Sequence, residues 1–119
     1  MLCFVVAAGI AAASGGSPIQ RAPAAAAKLE NPYQGQRPAQ LAGAKLYARD
    51  CASCHGANRQ GGSHAPALPP TDLGATSAGT LFWVLRNGSL RRGMPSFAHL
   101  PEAQRWQIIT FLRTAPDRK

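Results

Sequence analysis

A chain of 119 residues, 45% of them apolar, can bury one compact core and not two. Thirteen Lys+Arg against five Asp+Glu give a formal net charge of +8, which suits an acidic partner or surface. No alternation of basic and aromatic residues and no recognition-helix pattern marks a nucleic-acid binder, so that class is set aside.

Residues 1–16 open with "MLCFVVAAGIAAAS", an apolar run too short to span a bilayer and followed by small residues. It is expected to be a signal peptide or an N-terminal apolar segment, although no lysine or arginine precedes it. Residues 17–37 are rich in Ala, Pro, Gly and Gln without periodicity and read as a flexible linker. The ordered domain is expected over 38–119.

Its first helix is predicted to begin near Pro38, whose missing N–H costs nothing in a first turn. Leu41 and Ala48 lie along one side, and Gly43 and Tyr47 share a face four residues apart. That helix leads into Cys51-Ala52-Ser53-Cys54-His55. The segment from Gly56 to Ala75 holds too many glycines and prolines for a long element and is predicted as loop. A second helix is predicted over 77–87, capped by Thr76 or Ser77 and ended by Gly88. A last helix is predicted over 101–114, opened by Pro101 with Glu102 in its first turn. The expectation is an all-α domain of three main helices joined by long loops.

The chemistry lies in C-x-x-C-H. Three cysteines, an odd number, argue against a disulfide framework. A redox dithiol would want a βαβ surround, and a zinc site a second Cys/His pair where only His64 and His99 are on offer. Two thiols at i and i+3 can instead add to the two vinyl groups of one haem, with the next histidine beneath the iron. Cys51 and Cys54 are thus candidate thioethers of a single covalent haem c, and His55 a candidate axial ligand. For the other axial position Met94, His64 and His99 compete. Met94 stands between Gly93 and Pro95 in a loop, a frame that presents its sulfur, and is favoured; His64 and His99 are expected on the surface. Leu81, Leu85 and Phe97 are expected to contribute to an apolar haem pocket. Trp83 has two open roles, covering the haem or facing solvent.

From Gln40 to Thr114 the chain resembles a small bacterial class I c-type cytochrome, on "GAKLYARDCASCHG", "APAL", "LFWVLRNG", "GMPSF" and "RWQIITFL". The resemblance implies the cytochrome c fold around one haem. It implies a crossing of Gly43 and Tyr47 with Ile108 and Phe111. It also implies a Pro66 carbonyl accepting from the axial histidine, Leu68 on the haem, and Met94 as sixth ligand. It implies a monomeric one-electron carrier of the periplasm, not an enzyme, cycling Fe(III)/Fe(II). Its donor would be a dehydrogenase, a quinoprotein being typical of relatives, or a quinol-oxidising complex, and its acceptor a terminal oxidase. Arg59, Arg91 and Arg92 are candidate contacts for acidic redox partners. The alternative is a haem enzyme or gas sensor with a displaceable methionine.

Overall fold

The computed structural model describes residues 16–114, so the expected signal peptide lies outside the described residues apart from Gly16. Six α-helices follow in order: α1 Pro18–Arg21, α2 Arg37–Asp50, α3 Ala52–His55, α4 Pro70–Ala75, α5 Ala78–Asn87 and α6 Glu102–Leu112. Two 3₁₀ turns, Ala24–Lys28 and Leu90–Arg92, precede α2 and α6 respectively. Among the described residues there is no strand, only one antiparallel bridge between Ser89 and Met94. The fold is all-α, and α2, α5 and α6 are the three main helices.

The organising contact is α2 against α6. Gly43 makes it possible: a Cβ there would collide with the Gln107 carbonyl and lie 2.9 Å from the Phe111 Cβ. The glycine costs helix propensity and gains a backbone-to-backbone approach. One turn on, the Tyr47 ring meets that of Phe111 at 5.4 Å and 50°. Ile108 and Ile109, 1% and 0% exposed, anchor α6 in the core. Helix α5 starts at Ser77, whose Oγ accepts from the Thr80 N–H, and stops at Gly88 with φ 65°. It packs on α6 through Phe82, stacked on Trp106 at 4.1 Å and 15°.

Two segments depart from the sequence reading. Residues 17–37, expected as a flexible linker, pack onto the domain. Ser17 and Gln20 close a capping box on α1. The Arg21 guanidinium donates to Ser89 Oγ at 2.6 Å, and Asn31 Nδ2 donates to Thr110 Oγ1 at 2.8 Å. Ala26 is buried, and Gly79 of α5 lies so close to the Ala26 carbonyl that a Cβ would collide with it. A chain that docks by its backbone on a glycine needs no apolar stripe, so the alanine-rich text carried no signal. The second departure is α4, predicted as loop. Pro70 opens it and Leu73, 5% exposed, plugs it into the core.

Candidate haem site

Cys51 ends α2, its N–H donating to the Tyr47 carbonyl at 2.9 Å. The chain then makes one further turn, in which the N–H groups of Cys54 and His55 both donate to the Cys51 carbonyl, at 3.2 and 3.0 Å. That turn sets the two cysteines a helical step apart. Cys51 is buried, Cys54 is exposed, and both are free thiols. Burial, with Asp50 and Cys54 adding to it, pushes the Cys51 thiol up to about 11. A thiol so reluctant to ionise is ill suited to dithiol exchange. Among the described residues no group of three or more His, Cys, Asp or Glu could hold a metal ion, and His64 and His99 are both exposed.

The loop behind the motif is folded onto His55. Gly56 (φ 92°) and Gly61 (φ 79°) take left-handed conformations, and the Gly61 N–H donates to the His55 carbonyl at 2.7 Å. At Gly61 a Cβ would stand 2.5 Å from the Ala67 nitrogen and 2.9 Å from the Pro66 carbonyl carbon. This close return places the Pro66 carbonyl oxygen 2.8 Å from His55 Nδ1. The bond puts the proton on Nδ1 and leaves Nε2 as the free lone pair. The Tyr47 hydroxyl donates to the Gly56 carbonyl at 2.6 Å and ties the same loop to α2.

Met94 arrives from the other side of the sequence. Gly88 and Gly93 both have positive φ, and the Ser89–Met94 bridge is closed by two backbone bonds of 2.8 and 3.0 Å. The Phe97 N–H then donates to the Leu85 carbonyl at 2.8 Å, fixing the exit of the loop on α5. Leu81, Leu85 and Phe97 are buried in one cluster with Cys51, and Leu68 and Met94 pack against it half-buried. Pro66 is exposed and contributes its carbonyl rather than its ring. The same cluster holds Leu73, Leu100 and Trp106, which the sequence reading did not place at the site.

The arginines divide. Arg91 and Arg92 are exposed on the turn just before Met94, beside Leu90, which is 80% exposed. Arg59, expected to contact a partner, is only 7% exposed and cannot do so. Its guanidinium donates to the Leu112 carbonyl at 2.9 Å and lies over the Phe111 ring at 5.0 Å. Its φ of 60° turns the side chain inward from a loop that composition alone marked as surface. Trp83 is half-buried and lines a surface cavity of about 290 Å³ with Arg21, Asn87, Ser89, Leu90 and Arg91.

Two thiols one helical step apart, an imidazole of fixed tautomer and a thioether sulfur against an apolar cluster form a donor set that fits a covalently attached haem. Residues 38–112 match the family model described as cytochrome C oxidase, cbb3-type, subunit III. The chain belongs to this family. It is a small monohaem c-type cytochrome domain, with haem c as its covalent cofactor. Its fold is similar to the crystal structure of cytochrome CL from the marine methylotrophic bacterium Methylophaga aminisulfidivorans MPT. The two share 26% identity with a TM-score of 0.60, over 71% of this chain and 57% of that one. The cytochrome domain thus spans a little over half the length of that relative. No curated protein matches the chain.

Proposed function

We propose that this cytochrome is an exported one-electron carrier in which Cys51 and Cys54 would hold the haem by thioethers and His55 and Met94 would ligate its iron. The haem supplies reversible Fe(III)/Fe(II) chemistry. The observation that carries the ligand assignment is the 2.8 Å bond from His55 Nδ1 to the Pro66 carbonyl, which frees Nε2 and makes it more basic. Met94 would supply the second protein ligand, whose soft sulfur favours the reduced state. With both positions taken no site is left for substrate, which supports a carrier over an enzyme. Leu68, Leu81, Leu85 and Phe97 would exclude water from the iron.

The donor would be a periplasmic dehydrogenase or a quinol-oxidising complex. A terminal oxidase as acceptor, or as the complex this domain serves in, accords with the description of its family. Leu90 with Arg91 and Arg92 offers an apolar point within a basic rim for an acidic partner. The apolar run at residues 1–16 supports export, and no described helix is long and apolar enough to cross a membrane.

The test is protein made in a host with haem-attachment machinery. Haem retained on a denaturing gel, with a far-red methionine–iron band in the oxidised spectrum, is the expected result. A high-spin spectrum that shifts on adding carbon monoxide or cyanide would replace the carrier with a haem enzyme or gas sensor. A Met94→Ala variant is expected to lose the far-red band and bind cyanide; an unchanged spectrum would remove Met94 from the iron.

A further inference from the structure

Arg59 is a buried cation that no carboxylate among the described residues matches. Its guanidinium has a carbonyl at the end of α6 and the face of Phe111 as neighbours. Dipoles and ring faces soften a buried charge but do not cancel it. Desolvation lowers its pKa from the ordinary arginine value, the expected sign for a cation taken out of water. It is also the one non-glycine residue with positive φ among those described, a conformation that persists only where surroundings enforce it.

The backbone around Arg59 explains what enforces it. Its N–H donates to the Gly56 carbonyl at 3.1 Å, and its own carbonyl accepts from the Leu68 N–H at 2.9 Å. The same loop is closed on the His55 carbonyl by Gly61 and on the His55 ring by Pro66. The charge is therefore fixed within the loop that holds the imidazole. Water screens an exposed arginine, but 7% exposure leaves little water around this one.

We propose that Arg59 is a positioning and charge-tuning residue, a buried cation built into the histidine loop that raises the reduction potential of the iron. This rests on the haem-carrier reading. Fe(III) carries one more positive charge than Fe(II), so a fixed cation in a low-dielectric surround destabilises the oxidised form more. One electron enters the iron on reduction, and Arg59 keeps its proton throughout.

Holoprotein variants Arg59→Met and Arg59→Lys separate charge from shape. Spectroelectrochemical titration gives the midpoint potential, while haem retention and the far-red band are recorded on the same samples. Arg59→Lys is expected to stay close to the parent potential. Arg59→Met is expected to fall clearly below it with the far-red band intact. Arg86→Gln, which removes an exposed charge from α5, is expected to shift it much less. Arg59→Met at the parent potential, or both Arg59 variants falling equally, would overturn the proposal. If Arg59→Met yields no holoprotein, Arg59→Gln takes its place: a fall beside a parent-like Arg59→Lys supports charge, and a parent-like value overturns it. Absence of covalent haem from the parent itself would sink the carrier reading, and this proposal with it, before any variant is measured.

Discussion

At the scale of single residues, Tyr47 does two jobs with one side chain. Its ring packs on Phe111 across the helix crossing, and its hydroxyl holds the Gly56 carbonyl at the start of the histidine loop. Burial pushes its pKa above 10.0, and Arg59 opposes the rise. A raised folded value means that folding favours the protonated phenol. Its contribution is fully present below the unfolded value near 10.0 and is lost as pH rises through the folded one. Thermal unfolding followed between pH 8 and 12 should show this alkaline loss, and Tyr47→Phe should abolish that part of the pH dependence. At neutral pH the same variant should cost about 1 kcal/mol, the ordinary net value of a part-buried hydrogen bond. A Tyr47→Phe protein with the parent's alkaline profile would show that the hydroxyl is not the titrating group. Gly43 makes a sharper case. Its neighbour is a backbone carbonyl, which cannot turn aside as a flexible side chain can. Gly43→Ala should therefore destabilise by roughly 1–3 kcal/mol despite alanine's better helix propensity. A urea midpoint at or above that of the parent would mean that the two helices move apart at no cost.

At the scale of elements, α2, α5 and α6 were legible because each buries a continuous apolar face or opens and closes on local signals. Pro38, Ser77, Gly88 and Pro101 mark boundaries through their own backbone chemistry, so the observed ends fall within two residues of those predicted. The C-x-x-C-H pentapeptide was legible for the same reason: its chemistry is local. The segment before α2 was not, because its contacts are made one at a time over long sequence distances. Arg21 reaches Ser89 and Asn31 reaches Thr110, with Ala26 against Gly79 between them. None of these repeats with a helical or strand period. The burial of Arg59 was hidden likewise, since one residue's φ decides whether the side chain leaves or enters the core. The strap has a consequence for the methionine loop. Ser89, which accepts from Arg21, is also the residue whose backbone brackets Met94. Arg21→Ala should cost about 1 kcal/mol of global stability. Hydrogen exchange at the Ser89 and Met94 amides should rise more than at those of α2. Equal changes at both places would show that the strap adds stability without bracing that loop in particular.

At the scale of the whole molecule, the decisive property is where the five acids are absent. None lies between Asp72 and Glu102, the stretch that carries α5, the methionine loop and Arg86, Arg91 and Arg92. The segment that brings Met94 to the site therefore carries three arginines and no acid to offset them. Exposed charges of this kind act on encounter rather than on the bound state, through a field that reaches about 10 Å at 0.1 M salt. Reduction of the oxidised protein by an acidic redox partner should thus slow steeply as ionic strength rises. Arg91→Gln combined with Arg92→Gln should lower the second-order rate several-fold at low salt and flatten the salt dependence. The two proteins should converge at high salt, where the field is screened. The midpoint potential should barely move, because both side chains are solvated, in contrast to the buried Arg59. If the rate falls equally at every salt concentration, the arginines act through contact rather than through the field, and Leu90 becomes the better candidate for the docking point.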